Sequence, residues 1–132
     1  MRYLLDTNIC IYIANRRPPG VQARFARLTP GDVGMSLVTY GELRYGAEKS
    51  TRREESLATL EQLTTLIPVL LPDAATGACY GTVRAALEAA GTTIGNNDLW
   101  IAAHAVALNV TLVSNNTREF ERVPGLRLEN WA

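Results

Sequence analysis

Short apolar runs of strand length alternate along the chain with longer stretches of helical periodicity, and this alternation narrows the possible folds most. Strands are expected at Arg2–Asp6, Asp32–Ser36, Ile67–Leu71, Thr111–Ser114 and Leu126–Leu128. Helices are expected at Asn8–Ala14, Val21–Leu28, Val38–Ala47, Ser50–Leu66, Asp73 to about Ala90, and Asp98–Leu108. The pattern predicts an α/β fold with a central parallel sheet of four to five short strands flanked by helices. Pro68 predicts an edge position for the third strand.

The length and composition indicate one globular domain spanning residues 1–132, since no linker or repeat divides the chain. Its longest apolar run, Leu66–Leu71, is interrupted by Pro68 and follows no cationic leader. We therefore expect neither a signal peptide nor a membrane span. Cys10 and Cys79 lie among apolar neighbours without ligand-like spacing, which predicts reduced core cysteines in a cytoplasmic protein.

Charge is unevenly distributed although the net charge is zero. The segment Arg16–Arg53 holds eight basic and three acidic residues, a balance of +5, and the remainder of the chain balances it at −5. Such a segment has the electrostatics of a polyanion-binding surface, but a set of solvated helix faces explains it equally well. The planar arginine fork suits phosphate, and the candidate contacts are Arg16, Arg17, Arg24, Arg44, Arg52 and Arg53.

Two aspartates occupy unusual positions. Asp6 separates two apolar stretches, where a carboxylate is costly to desolvate unless it has a partner or a task. It follows the first strand, at the end where open α/β sheets bind ligands, although a helix N-cap explains it equally well. Asp98 begins a helix that is apolar all round and therefore buried. An N-cap role competes here too, with Asn96 and Asn97 as alternative caps.

Glu42 lies on the side of its helix that we expect to be packed. Arg44 and Glu48 form an i, i+4 pair that marks the solvated face. Glu42 is roughly 160° from Arg44 around the axis and shares a side with Val38 and Tyr45. A glutamate on a packed helix face is usually paired, protonated or linked to a metal. The pattern therefore favours a functional Glu42.

Polar residues also follow the strand at Thr111–Ser114. If this strand neighbours the first, Ser114 and Asn116 approach Asp6, and Glu119 reaches the same place from a short turn. The alternative is a surface loop with ordinary Asn-rich turn chemistry.

Three carboxylates and an amide at one end of a sheet repel each other unless a cation joins them. Their hard oxygens favour Mg²⁺ or Mn²⁺ over zinc, because neither the cysteines nor His104 stand in a ligand pattern. Such a site can lower the pKa of a bound water and hold a phosphodiester for in-line attack.

These motifs together resemble the PIN domain, and more narrowly the VapC-type toxins of bacterial toxin–antitoxin pairs. The similarity runs from Arg2 to Trp131, with the motifs in the family's order and spacing. The blocks that carry it are Asp6–Asn8, Ser36–Gly46, Ile94–Ala105, Thr111–Phe120 and Val123–Trp131.

The resemblance implies a PIN-like fold and a cytoplasmic, Mg²⁺-dependent endoribonuclease, with Mn²⁺ as a substitute. It also implies a structured RNA substrate, with tRNA as the expected class, and the six arginines become candidate RNA contacts. The implied partners are a cognate VapB-type antitoxin and a second copy of the chain. Operator DNA would be reached only through the antitoxin, and no membrane is involved.

The resemblance also assigns roles to single residues. Asp6, Glu42 and Asp98 match the family's metal-binding acids. Asn116 departs from the pattern, because many PIN domains carry a fourth aspartate there. Either Glu119 or Asn116 itself fills that fourth position, and one metal ion or two stays open. Ser114 matches a residue that supports the first aspartate, and the full supporting set is Thr7, Asn8, Ser114 and Asn116.

Three further expectations concern partners and rival functions. Ile9, Ile13 and Phe25, with nearby arginines, are expected to form a groove for an amphipathic, acid-bearing antitoxin segment; the alternative is ordinary core. A PIN-like module that binds RNA or protein without cutting is one rival, although it would not need clustered carboxylates. The second rival is a DNA-directed nuclease of the same fold. Such nucleases usually carry additional DNA-binding helices, for which a chain of 132 residues leaves little room.

Overall fold

The structure is a computed structural model that describes all 132 residues, and five strands alternate with seven helices along it. The strands are β1 (Tyr3–Leu5), β2 (Val33–Ser36), β3 (Val69–Leu70), β4 (Thr111–Val113) and β5 (Arg127–Glu129). The helices are α1 (Thr7–Asn15), α2 (Pro19–Ala26), α3 (Leu37–Glu48), α4 (Arg53–Leu66), α5 (Ala74–Ala89), α6 (Asn96–Leu108) and α7 (Thr117–Phe120).

The strands form one parallel sheet in the order β3-β2-β1-β4-β5. The predicted α/β fold with a central parallel sheet is therefore confirmed, and β3 lies at the edge as Pro68 indicated. β1 pairs directly with β4, and Leu5 stands opposite Val113 in the register. This pairing brings the residues that follow β1 and β4 to the same end of the sheet.

The core lies on both faces of the sheet. Tyr3 and Leu5 belong to one buried cluster, whereas Leu4 belongs to the other, because successive side chains of a strand point to opposite faces. Sheets covered on both faces have strands that are apolar throughout, as β1 is. Ile9 and Ile13 are buried in the first cluster. The prediction that they form an antitoxin groove is therefore wrong, since core residues have no surface to offer.

The helix boundaries differ from the predicted ones by at most three residues, and the ends of α4 and α6 agree with the prediction. α6 begins at Asn96 with Gly95 in the N-cap position and no side-chain cap bond, so neither Asn96 nor Asn97 is the cap. The predicted cap of α5 is confirmed, because Asp73 accepts a hydrogen bond from the Thr76 amide. Gly91 follows α5 with φ +69°, the left-handed conformation typical of a helix end.

Both cysteines are free. Cys10 is buried in the core, as predicted, whereas Cys79 is only half-buried. No helix combines the length and the apolar character that a membrane crossing requires.

Candidate metal-dependent nuclease site

Four acidic side chains from four elements meet at one end of the sheet. Asp6 follows β1, Glu42 lies in α3, Asp98 lies in the first turn of α6, and Glu119 lies in α7. The negative charges of Glu42 and Glu119 act on the Asp6 carboxylate. Those same two glutamates, together with Asp6, act on the Asp98 carboxylate. The fold therefore brings together the four acids that the sequence singled out.

Asp6 is both a helix cap and the centre of the acidic group. Its Oδ1 accepts the Thr7 amide at 2.8 Å, and its Oδ2 accepts the Ser114 hydroxyl at 2.7 Å. The residue is only 5% exposed. Burial raises the pKa of Asp6, and the charges of Glu42 and Glu119 add to that rise, while the two hydrogen bonds oppose it. The helix cap is thus confirmed, and the role of Asp6 as a metal ligand stays a prediction.

Glu42 is linked to Asp6 through one neighbouring residue, Thr7. The Thr7 hydroxyl donates to Glu42 Oε1 at 2.7 Å, while the Thr7 amide is bound to Asp6. Glu42 is half-buried, and the Arg44–Glu48 pair at 2.7 Å marks the solvated face as predicted. Tyr45 is 65% exposed, so its predicted place on the packed side is wrong.

Asp98 and Glu119 form the second half of the acidic group. Glu119 Oε1 accepts the Gly95 amide at 2.7 Å, and its Oε2 accepts Asn116 Nδ2 at 2.7 Å. The Gly95 hydrogen bond is the main reason that the pKa of Glu119 is lowered. Burial, followed by the hydrogen bond and charge of Glu119, raises the pKa of Asp98 to about 7. Burial and the neighbouring Glu119 thus raise the pKa of Asp98, while hydrogen bonds lower the pKa of Glu119 beside it.

The supporting residues lie at this end of the sheet. Ser114 bridges β4 to Asp6, and its oxygen accepts the Asn116 amide at 2.9 Å. Asn8 makes only a long contact, 3.5 Å from its Oδ1 to the Asn115 amide. Sequence reasoning missed the Gly95 amide as a partner of Glu119, because a backbone donor leaves no signal in residue type.

The donor set fits a hard divalent cation. All four candidates offer carboxylate oxygens, and the raised pKa of Asp6 and of Asp98 reflects carboxylates held close together in a buried place. No three His, Cys, Asp or Glu side chains form a closed coordination cluster. Mg²⁺ characteristically binds one or two carboxylates, with waters and substrate phosphates completing its shell. An open acidic site is therefore compatible with it.

The six candidate arginines are not gathered at this site. Four of them have acidic partners, namely Arg24 with Glu129, Arg44 and Arg53 with Glu48, and Arg52 with Glu55. Arg16 and Arg17 have no such partner, but they follow the far end of α1, roughly 13 Å from Asp6 along the helix. Their contact with RNA stays a prediction.

Comparison with known families decides the identity of the fold. A family model described as the PIN domain matches residues 3–126. The chain belongs to the PIN domain family. Among relatives of this PIN domain protein, a tRNA(fMet)-specific endonuclease VapC from Shigella flexneri is 46% identical over 132 residues, covering 100% of this chain and 99% of the relative. Ribonuclease VapC1 from Haemophilus influenzae strain R2866 is 42% identical, covering 99% and 98%.

Solved structures agree with this assignment. The DNA-bound VapBC from Salmonella typhimurium gives a TM-score of 0.93 at 39% identity and covers 100% of this chain and 99% of that one. VapBC2 from Rickettsia felis, bound to a DNA fragment from its promoter, gives 0.92 at 40% identity and covers 100% of both. The predicted resemblance is confirmed: this PIN domain protein is a VapC-type ribonuclease toxin.

Proposed function

We propose that the chain is a Mg²⁺-dependent endoribonuclease that cuts structured RNA of the tRNA class and that a VapB-type antitoxin holds inactive. The observation that carries the proposal is the meeting of Asp6, Glu42, Asp98 and Glu119 at one end of the sheet. The tRNA class is supported by the relatives from Shigella flexneri and Salmonella typhimurium, both named tRNA(fMet)-specific endonucleases.

Asp6, Glu42 and Asp98 would hold the ion, and Glu119 would complete the acidic group. The chemistry supplied by a bound divalent ion is the ionisation of water and the neutralisation of phosphate charge. The Ser114 hydroxyl donates a hydrogen bond to one oxygen of Asp6, and this bond orients the carboxylate before substrate binds. Thr7 does the same for Glu42. The acidic group is thereby ordered in advance, as a site for in-line displacement requires.

The first experiment tests the cation and the substrate together. Purified protein is incubated with tRNA transcripts, total RNA and single-stranded DNA, with and without EDTA. We expect RNA cleavage that EDTA abolishes and that added Mg²⁺ or Mn²⁺ restores, and sequencing of the new RNA ends would name the cleavage position. Full activity in metal-free buffer would remove the proposed mechanism. Preferential DNA cleavage would favour the DNA-directed nuclease, and RNA binding without cleavage would favour a binding module.

An antitoxin segment has a groove available, although it differs from the one expected from sequence. The groove has a volume of about 460 Å³ and lies between α1, α3 and α4. Thr7 and Glu42 lie along it beside the acidic group, and its apolar lining includes Ile11, Ala14, Leu43 and Ala47. We propose that an amphipathic helix or extended segment of the antitoxin occupies this groove. Its occupation would cover Glu42.

A charged side chain in the groove should weaken the complex. Ile11 is 42% exposed and lines the groove, whereas Leu108, at the end of α6, is 41% exposed and does not. We expect Ile11→Lys to raise the dissociation constant for the antitoxin about tenfold or more, the effect of losing one strong interface contact. Leu108→Lys is the matched control and should bind normally. Equal dissociation constants for the two variants, measured by calorimetry, would show that the antitoxin binds outside this groove.

A further inference from the structure

Asn116 is bonded to both halves of the acidic group. Its backbone amide donates to Ser114 Oγ at 2.9 Å, and the Ser114 hydroxyl donates to Asp6 Oδ2 at 2.7 Å. Its side-chain Nδ2 donates to Glu119 Oε2 at 2.7 Å. A single residue thus connects the Asp6 side of the site to the Glu119 side.

The connection continues to the start of α6. Glu119 Oε1 accepts the Gly95 amide at 2.7 Å, and Gly95 precedes Asp98 by three residues. A Cβ atom added to Gly95 would lie 3.6 Å from Glu119 Oε1 and 3.8 Å from Asp98 Oδ2, so both carboxyl groups converge on this glycine. The hydrogen bonds therefore run without interruption from Asp6 through Asn116 and Glu119 to Gly95, the N-cap of the helix that carries Asp98.

We propose that Asn116 is a positioning residue that sets the spacing between Asp6 and the Asp98–Glu119 pair. It must be an amide because Glu119 already supplies the fourth carboxylate. This inference rests on the proposed metal-dependent function, since the spacing matters for a shared cation. Position 116 then provides a hydrogen-bond donor to the acidic group and is not the position of a further metal ligand.

The chemistry of the two side chains explains the choice of amide. An ionised aspartate accepts hydrogen bonds but cannot donate them, so Asn116→Asp would remove the bond to Glu119. It would also place two like charges near hydrogen-bond distance, which destabilises the arrangement. Asn116→Ala removes the bond without adding charge. The two variants therefore separate loss of the donor from repulsion.

Mn²⁺ affinity of the purified protein, measured by calorimetry, is the first readout. We expect Asn116→Ala to weaken Mn²⁺ binding about tenfold, at the lower end of the range for partners that orient metal ligands, and Asn116→Asp to weaken it further. The matched control is Asn115→Ala, since the Asn115 side chain donates to the Tyr12 hydroxyl at 2.9 Å and contacts no acid. That control should bind Mn²⁺ as the wild type does. Tighter binding by Asn116→Asp would overturn the proposal, because position 116 would then be a ligand position.

A double-mutant cycle tests whether Asn116 acts through Glu119. In the Glu119→Ala background, Asn116→Ala should cost little additional Mn²⁺ affinity, because the bond it removes is already absent. Additive losses would overturn the proposed route through Glu119. Thermal melts of each variant separate this effect from loss of the fold.

The Gly95 amide gives a readout in the metal-free protein. In NMR spectra its signal should shift in Asn116→Ala and stay in place in Asn115→Ala, since only the former releases Glu119. An unchanged Gly95 signal in Asn116→Ala would overturn the inference. Failure of the wild type to bind Mn²⁺ would instead overturn the proposed function, and the Gly95 signal would still decide whether Asn116 orders Glu119.

Discussion

Asp6 is a residue whose proposed role as a metal ligand opposes the stability of the fold. Its carboxylate is buried beside Glu42 and Glu119, and this environment raises its pKa. A raised carboxyl pKa means that the charged form is less favourable in the folded protein than in the unfolded chain. The hydrogen bonds from Thr7 and Ser114 offset only part of that cost. We infer that the charge is kept for binding a cation and not for holding the fold.

Asp6→Asn separates these two roles. Asparagine keeps the shape and is an equally good helix cap, while the loss of charge relieves repulsion. We therefore expect the metal-free variant to melt at or above the wild-type temperature, and its RNA cleavage to fall about 100-fold or more. Cleavage assays and thermal melts measure both. A variant that melts as the wild type does and also cuts RNA normally would show that Asp6 serves only as a cap.

His104 is a buried residue whose effect on stability depends on pH. Its side chain is 3% exposed, and burial lowers its pKa although the charge of Asp73 opposes that shift. In the unfolded chain His104 takes up a proton below about pH 6.5, whereas in the folded protein it does so only at lower pH. Its contribution to stability is therefore lost as the pH falls through that value.

His104→Gln tests this dependence. The unfolding free energy of the wild type, relative to that of the variant, should decrease between about pH 7 and pH 5. Protonation of Asp6 and Asp98 stabilises the folded state as the pH falls, which opposes the effect of His104. Both proteins carry these aspartates, so subtracting one unfolding free energy from the other removes their contribution. Denaturant titrations at several pH values supply the measurement, and a difference that does not vary with pH would contradict the prediction.

Among the elements, α5 illustrates a helix whose start depends on one side chain. Asp73 Oδ1 accepts the Thr76 amide at 3.2 Å. We expect Asp73→Ala to lower the unfolding free energy by about 1 kcal/mol and to leave RNA cleavage unchanged. Asp73→Asn is the control, because asparagine caps helices as well as aspartate does. Equal melting of the alanine and asparagine variants would mean that the cap contributes nothing.

The strands and helices were predictable because each has a strong local pattern. The short apolar runs of β1, β2 and β4 and the Pro68 signal for β3 indicated a parallel α/β sheet. The starting residue of α6 was less predictable, since Asn96, Asn97 and Asp98 all resemble caps while the structure uses Gly95. Local preference does not distinguish neighbouring polar residues when the loop before a helix decides the entry point.

The acids of the site were predictable from residue type, but their connections were not. A carboxylate among apolar residues, such as Asp6, indicates either a partner or a task. The partners of Glu119 include a backbone amide, which any residue supplies. The antitoxin groove predicted at Ile9 and Ile13 was wrong because these side chains are buried in the core. The sequence of an apolar helix face is the same whether that face packs against the core or against a partner.

The whole molecule should gain stability from the cation. A ligand that binds only the folded state at 100 times its dissociation constant stabilises it by about 2.7 kcal/mol. We therefore expect Mg²⁺ or Mn²⁺ to raise the melting temperature of the wild type and to have much less effect on Asp6→Asn. An equal rise in both proteins would place the bound ion outside the acidic group. The homodimer that the family resemblance implies stays a prediction, and light scattering would check it.

The pairing of β1 with β4 also has a consequence for how the protein is made. Asp6 is held by Ser114, which is 108 positions later in the chain, and Asp98 is held near Glu119. Trp131 packs against Tyr3 at 5.2 Å between ring centroids. A ribosome must therefore synthesise the chain as far as Glu119 before the acidic group can assemble. We therefore expect a nascent chain that stops short of Ser114 and Glu119 to leave RNA uncut.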